Sequence, residues 1–326
     1  MDDMKRTALL LAAASLASIT LAASTGATAG YIAVDGTPIR VAPIPDSLRR
    51  TDELPTFYTR HVMIRSIPII GSDKPSDYAF LEAAYTLDHV LAESPAWVID
   101  ALIKNKVRLG IIGIAEYTMD IPENQTDENL RPSEAAFQDR RSRGLGGLPL
   151  ATCAEENVLN LPSDPYRTEA IGIHEFAHTV LSAIDTQDER FYRRVREAYC
   201  QAMDAGRFKN TYAASNPHEY WAEGVQDWFD CNNPNNDGRI HNGIWRRERL
   251  KKYDPTLAVL LAETFGDGAW RYTRSDGQMP KGAETAATRP AGEQPHLAGL
   301  DRSKLPAFDF NKSPRIAAPR AAATQR

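Results

Sequence analysis

The amino-acid sequence predicts an α+β protein, with a small mixed sheet in the first half and mostly helices in the second. Apolar runs at 57–70 and 107–114 have the length and β-branched content of buried strands. Between these runs, and again after residue 164, apolar residues recur at helical spacing. Strands followed by a run of helices are typical of the α+β class.

The first half is expected to begin with an irregular arm, because residues 30–55 are rich in proline and turn residues. Residues 57–70 predict one or two short strands, broken at Pro68. A helix is expected from Pro75 to Leu91, and a second from Pro95 to Lys104. His89 has no metal-type partner four residues on, so we interpret it as a core or surface histidine.

A basic, glycine-rich segment follows the predicted strand at 107–114. Residues 140–148 read RRSRGLGGL. The segment lacks the Lys-Ser/Thr pair of a phosphate-binding loop, so phosphate binding is not expected. A flexible flap is the favoured interpretation.

Residues 174–178 read His-Glu-Phe-Ala-His, the motif that says most about function. Positions four apart lie on one face of a helix, so His174 and His178 can converge on a metal ion while Glu175 faces its open side. Apolar residues at helical spacing flank the motif, and the helix is expected to start at 163–164. The pattern predicts a zinc site with a built-in base. A core helix whose histidines only form hydrogen bonds is the alternative.

A catalytic zinc needs a third protein ligand and keeps its fourth position for water. The motif does not extend to HExxHxxGxxH, because Leu181 and Ile184 stand where the glycine and the third histidine would be. After a charged helix expected over about 188–205, the third ligand must come from further along the chain.

A helix with a candidate third ligand is expected to open at Asn216, a good N-cap, followed by Pro217. Glu219 is at the third helical position, where it can complete a capping box or bind the metal. We favour the metal, since Glu223 lies on the same face one turn later. His218 is the competing ligand, about 100° around the helix.

These residues resemble the zinc site of the gluzincin metallopeptidases, most closely the catalytic domain of anthrax lethal factor and its relatives. HEFAH at 174–178 is followed by Tyr212, seven residues before Glu219, and by an aromatic pair and Ala-Glu at 220–223. The resemblance covers about 150–232 and implies a zincin-like fold with a helical zinc-binding lobe.

The resemblance also implies residue roles. One Zn²⁺ would be held by His174, His178 and Glu219. Bound zinc would bring the pKa of water toward neutrality and polarise the scissile carbonyl, while Glu175 accepts the proton and passes it to the leaving amine. Tyr212 would donate a hydrogen bond to the oxyanion, or is an ordinary surface aromatic. Glu223 would accept a hydrogen bond from a zinc histidine, or is a solvated carboxylate.

Two further segments invite a functional interpretation. By analogy with zincin folds, 155–160 is expected as the edge strand along the cleft, with an inner strand as the alternative. The Asn-rich stretch 232–242 resembles half an EF-hand loop, but Ile244 replaces the glutamate at the twelfth position, so a plain turn is favoured over calcium. Arg239 and His241 are candidates to reach the cleft.

The chain ends carry targeting and tail signals. Lys5-Arg6, an apolar run and Ala27-Thr28-Ala29 predict a secretory signal peptide, with Met1 or Met4 as the start. Beyond residue 275, the composition predicts a disordered tail of net charge +3, for which weak attraction to an anionic envelope is a hypothesis. The domains are therefore a signal peptide (1–29), a catalytic domain (30–275, with lobes 30–149 and 150–275) and a tail (276–326). Within the catalytic domain, 246–265 predicts two helices split at Asp254-Pro255.

Charge and cysteine content limit the partners. A net charge of -5 without a basic patch excludes a nucleic-acid footprint, and no later stretch approaches the roughly 20 apolar residues of a membrane span. Cys153, Cys200 and Cys231 allow one disulfide in three pairings, and none has the CxxC spacing of a metal or redox site.

The sequence therefore predicts a secreted zinc metallopeptidase, extracellular or periplasmic, that acts on a peptide or protein substrate. The alternatives are a zinc hydrolase acting on a non-peptide envelope amide, and an inactive zincin-fold binding module.

Overall fold

The computed structural model describes residues 30–125, 130–236, 239–278, 289 and 294–317. The predicted signal peptide at 1–29 lies outside these residues, as do positions 237–238 of the Asn-rich loop. Among the described residues, no helix is long and apolar enough to cross a membrane.

The described residues contain eight strands, which form two sheets. They are β1 (Tyr31–Ile32), β2 (Pro38–Ile39), β3 (Ala42–Pro43), β4 (Arg60–Ile64), β5 (Ile67–Gly71), β6 (Arg108–Ile112), β7 (Gly144–Leu145) and β8 (Leu150–Ala154). β1 and β2 form a separate hairpin, and the others form one sheet in the order β3-β4-β5-β6-β8-β7. β5, β6 and β8 are parallel, whereas the remaining pairs are antiparallel. The edge strand β7 thus lies next to β8.

The helices account for most of the second half. They are α1 (Asp46–Thr51), α2 (Asp77–Val90), α3 (Ala96–Lys104), α4 (Pro132–Arg141), α5 (Glu155–Val158), α6 (Ile171–Asp185), α7 (Glu189–Asp204), α8 (Pro217–Trp228), α9 (Arg247–Tyr253), α10 (Pro255–Phe265) and α11 (Pro314–Ala317). Short 3-10 helices include Thr118–Asp120, Pro122–Gln125 and Tyr212–Ala214. The expected α+β class with a small mixed sheet is confirmed, as are the helices after Pro75 and Pro95 and the split at Asp254-Pro255.

The break between β4 and β5 is not at Pro68, as the sequence predicted. The chain turns at Arg65 and Ser66, which take φ values of 48° and 66°. Pro68 lies inside β5 opposite Met63, and the pairing of β5 with β6 begins only at Ile69. The missing N–H of Pro68 therefore costs no hydrogen bond to β6.

The segment 155–160 is a one-turn helix followed by a turn, so its prediction as an edge or inner strand is wrong. It forms α5, whose two glutamates are buried and reach across the core. Glu155 accepts a hydrogen bond from the backbone N–H of Ser76 at 2.8 Å, and Glu156 pairs with Arg143 at 2.6 Å. The edge strand is β7 instead.

The metal-motif helix begins later than the predicted 163–164. Residues 162–170 form turns, in which the Asp164 carboxylate accepts from the backbone N–H of Tyr166 at 2.9 Å. The helix α6 starts at Ile171, whose N–H donates to the side chain of Asn157 at 2.9 Å. A side chain fourteen residues earlier thus satisfies the first N–H of the helix.

The core lies between the sheet and a layer of helices centred on α6. This helix packs against β8 on one side and α8 on the other. Trp221 of α8 is fully buried and donates its indole N–H to the carbonyl of Ala177 at 3.0 Å. Because Ala177 lies between the residues of the histidine motif, this bond holds α6 and α8 together beside the motif.

Residues 289 and 294–317 of the tail pack on the domain, so the prediction of disorder is wrong there. Phe308 is buried, and the Arg143 guanidinium lies 3.8 Å from its ring centroid. Arg315 pairs with the fully buried Asp139 at 3.1 Å. The prediction from composition failed here because a few aromatic and charged contacts, rather than apolar periodicity, hold this segment on the domain.

These contacts bear on the envelope hypothesis, because three of the tail's basic residues are engaged inside the protein. They are Arg289, which pairs with Glu82, Arg302, which donates to the carbonyl of Leu159, and Arg315.

The three cysteines are free, with Cys153 and Cys231 buried and Cys200 exposed. The disulfide that their number allowed is not formed.

Candidate metal centre

Three ligand-type atoms from α6 and α8 meet at the floor of a cleft. The Nε2 atoms of His174 and His178 are 3.2 Å apart, and Oε2 of Glu219 lies 3.2 Å from the first and 3.4 Å from the second. Zinc bonds of about 2.0–2.1 Å at tetrahedral angles place ligand atoms about 3.3–3.4 Å apart. Two imidazole nitrogens and a carboxylate oxygen with this spacing fit a zinc ion.

The start of α8 directs Glu219 toward the histidines. Asn216 caps the helix, because its side-chain oxygen accepts from the N–H groups of His218 at 2.9 Å and Glu219 at 3.0 Å. Pro217 takes the first helical position, where its missing N–H is not needed. The Asn216 side chain alone satisfies these donors, so the Glu219 carboxylate is left for the imidazoles.

His218, the competing ligand, lies apart from this triangle. Its ring packs on Tyr192 with centroids 4.9 Å apart, and is 6.4 Å from the ring of His178. Burial lowers the pKa of His218, so the ring is neutral near pH 7. The ring contacts an aromatic side chain rather than the group of ligand atoms.

Glu175 stands next to the triangle. One ligand atom from each of His174, Glu175 and His178 can be chosen so that all lie within 4.8 Å of one another. Removal from water raises the pKa of Glu175, whereas the two histidines lower it. The carboxylate is thus close enough to share a proton with a water molecule at the metal position.

Tyr212 contacts the second carboxylate oxygen of Glu219, Oε1. Its hydroxyl donates to Oε1 of Glu219 at 3.1 Å, and its ring stacks on His174 at 25° with centroids 6.3 Å apart. The backbone N–H of Tyr212 donates to the carbonyl of Ile240 at 2.9 Å. Tyr212 is 38% exposed and lines the cleft.

Glu223 was expected to hold a metal histidine, but a different residue is closer. Gln226 lies with Oε1 at 2.8 Å from Nδ1 of His174, whereas Oε1 of Glu223 is 3.7 Å away. The other Glu223 oxygen accepts from Asn232 at 3.1 Å. Gln226 was not identified from the sequence; its position seven residues after Glu219, on the same helical face, was the available signal.

The segment after α4 forms the wall facing α6. A Cβ added at Gly146 would lie 2.3 Å from the backbone oxygen of Glu175 and 2.8 Å from Cβ of His178. Gly147 exchanges hydrogen bonds with the Thr179 hydroxyl, at 3.1 Å from its N–H and 3.0 Å to its carbonyl. The predicted flap is thus the edge strand β7 and its extension, seated directly on the motif helix.

His241 reaches the cleft, as the sequence suggested, whereas Arg239 is not among the lining residues. Nε2 of His241 lies 3.3 Å from Glu169, and Nδ1 of His241 lies 3.7 Å from Glu223. Burial opposes the charged form, but the two carboxylates raise the pKa of His241 to about 10. His241 is therefore tied to α8 and to the turn before α6.

The cleft has a volume of about 820 Å³, enough for several residues of an extended chain. Its floor carries the metal-type triangle and Glu175, and Gly144, Leu145 and Gly146 lie along one side. Tyr212 and His241 also line the cleft.

No family model matches the chain, and no curated protein matches it. Among solved structures, the Pro-Pro endopeptidase from Paenibacillus alvei is similar at a TM-score of 0.32 and 16% identity, over 56% of this chain and 90% of that chain. At this TM-score the similarity carries no inference about the activity of the present protein.

Proposed function

We propose that the protein is a zinc-dependent metallopeptidase that hydrolyses peptide bonds with Glu175 as general base. The observation that carries the proposal is the triangle of His174, His178 and Glu219, with ligand atoms 3.2–3.4 Å apart and Glu175 beside it. Zinc, when bound, would act as a Lewis acid that acidifies a water molecule and polarises a carbonyl.

The chain's own residues then supply the proton transfers. Glu175, whose pKa is raised by desolvation, accepts the proton of the attacking water and delivers it to the leaving amine. Tyr212 donates its hydroxyl hydrogen to the oxygen on which negative charge develops. Its distance of 3.1 Å from Glu219 supports a position beside the ligand group.

Substrate alignment is assigned to β7. Among the described residues, this strand is at the edge of the sheet and pairs only with β8. An extended peptide can add to such an edge through main-chain hydrogen bonds. Gly144 and Gly146 allow β7 to approach α6 closely, which would hold the scissile bond over Glu175.

The test is a peptide library incubated with the zinc-loaded protein and read by mass spectrometry. Wild type should cleave peptides, whereas Glu175→Gln should retain zinc and lose turnover. Glu219→Ala should lower the zinc content, and an unchanged stoichiometry would transfer the ligand role to Glu223 or His218. A wild type that cleaves no peptide, or a Glu175→Gln variant with full activity, contradicts the proposal.

Export is proposed from the first 29 residues alone. If they are a signal peptide, amino-terminal sequencing of protein recovered outside the cytoplasm should begin at Gly30. A chain recovered there that still begins at Met1 or Met4 contradicts this part of the proposal.

A further inference from the structure

We infer that Gln226 is the positioning residue that selects the metal-binding tautomer of His174, in place of the carboxylate of Glu223. The inference rests on the proposed function only in taking zinc as the ion that the site binds.

The geometry of α8 brings Gln226 to His174. Glu219, Glu223 and Gln226 are spaced four and three residues apart, so they lie on one face of the helix. The amide oxygen of Gln226 is 2.8 Å from Nδ1 of His174, within hydrogen-bonding distance. The nearer oxygen of Glu223 is 3.7 Å from the same atom, beyond that distance.

The tautomer follows from which nitrogen faces the other ligand atoms. A neutral imidazole carries one proton, so one nitrogen donates and the other offers a lone pair. Nε2 of His174 is the atom 3.2 Å from both His178 Nε2 and Glu219 Oε2, so it must offer the lone pair to a metal. The proton is then on Nδ1, and the oxygen of Gln226 accepts it.

The amide nitrogen of Gln226 supports the assignment of its oxygen to the bond with His174. Gln226 is fully buried, and no described residue accepts a hydrogen bond from its Nε2. The amide therefore leaves a buried donor unsatisfied while its oxygen faces His174. Rotated by half a turn, it would place an NH₂ group against the Nδ1–H of His174, and the tautomer with a free Nε2 would lose its acceptor.

A neutral acceptor also suits the charges nearby. Glu223 and Asp227 flank Gln226 on α8, and both are buried. Burial and the charge of Glu223 raise the pKa of Asp227 well above its usual value. An amide orients His174 without adding a third negative charge to this group. A carboxyl group at this position would be driven by the same charges to take up a proton, and its carbonyl oxygen would still accept from His174.

The test is the zinc dissociation constant, measured without substrate by competition with a chromophoric chelator. Gln226→Met removes the acceptor at similar volume and should weaken zinc binding by about 10–100-fold, the usual effect of losing such a partner. Gln226→Glu retains an acceptor oxygen in either protonation state and should recover most of the affinity. Val225→Ala, at the neighbouring buried position, removes packing but leaves the Gln226 amide in place and should keep wild-type affinity.

Each outcome decides the inference. It is overturned if Gln226→Met binds zinc as tightly as wild type, if Gln226→Glu is as weak as Gln226→Met, or if Val225→Ala loses as much affinity. Because no peptide is present, these results are separate from the proposed activity. A wild type that cleaves no peptide would refute the peptidase while leaving the zinc affinities to decide the role of Gln226.

Discussion

The contact between Gly146 and the motif helix should be sensitive to a single methyl group. In Gly146→Ala, the new Cβ would lie 2.3 Å from the backbone oxygen of Glu175. Since carbon atoms pack best at about 3.5–4.0 Å, the segment after β7 would have to retreat from α6 by about 1 Å. The neighbouring atoms belong to a helix backbone and to Cβ of His178, which cannot rotate away.

The expected cost follows from this displacement. Overpacking of this kind typically destabilises a protein by about 1–3 kcal/mol. At about 2–4 °C per kcal/mol for a domain of this size, the melting temperature should fall by about 2–12 °C. A shift of 1 Å in a substrate-aligning segment can cost about 10²-fold in rate, so kcat/KM should fall by about that factor.

Gly147→Ala is the matched control, because an added Cβ at Gly147 has no heavy atom within 4 Å. Its hydrogen bonds to Thr179 use backbone atoms that alanine keeps. The two variants are compared by calorimetry, by zinc content and by the peptide assay. Zinc content should match wild type in both, and only Gly146→Ala should lose stability and activity. Equal melting temperatures and rates for the two variants would refute the close packing of this segment on α6.

Three further variants test other parts of the structure. Glu156→Gln leaves the fully buried Arg143 without its carboxylate and should cost about 3–5 kcal/mol, measured by urea unfolding; a loss below 1 kcal/mol would contradict a buried ion pair. Burial raises the pKa of Asp164 to about 6 from an ordinary 3.8, so the folded state binds the proton more tightly and stability falls as pH rises. Between pH 5 and 7.5 the free energy of unfolding should fall by about 1.4 kcal/mol for this reason, and Asp164→Asn should remove that fall. A variant whose free energy of unfolding keeps the same pH slope would argue against this burial effect. Tyr212→Phe should lower kcat by about 10²-fold with zinc content unchanged, and unaltered turnover would return Tyr212 to an ordinary aromatic role.

Helices with local start signals could be predicted from the sequence. Pro95 precedes α3, Asn216 and Pro217 open α8, and Asp254-Pro255 separates α9 from α10. In each case a capping side chain or a fixed proline φ acts within a few residues, so no tertiary contact is needed to find the boundary.

Elements that depend on contacts between residues distant in sequence were not predicted correctly. The start of α6 depends on Asn157, fourteen positions earlier, which accepts from Ile171. The helix α5 buries two glutamates whose partners, Ser76 and Arg143, are not visible in a local pattern. Packing of the tail likewise depends on Arg143, which contacts both Glu156 and Phe308.

The candidate site likewise contains residues that could be predicted from local spacing and residues that could not. The histidine motif fixes the direction of three side chains through helical spacing alone, and the cap at Asn216 left Glu219 available as the third member. The choice between Glu223 and Gln226 beside His174 depends on how α8 is rotated against α6, which sequence spacing does not determine. The contact of Gly146 with Glu175 depends on the path of the edge strand, so the glycines could be interpreted only as a flap.

The central claim is that His174, His178 and Glu219 hold one zinc ion beside Glu175. The most direct measurement is anomalous X-ray scattering at the zinc edge from crystals of the zinc-loaded protein. One peak is expected about 2.0–2.2 Å from Nε2 of both histidines and from a Glu219 oxygen. A zinc peak elsewhere, or one held without Glu219, would contradict it.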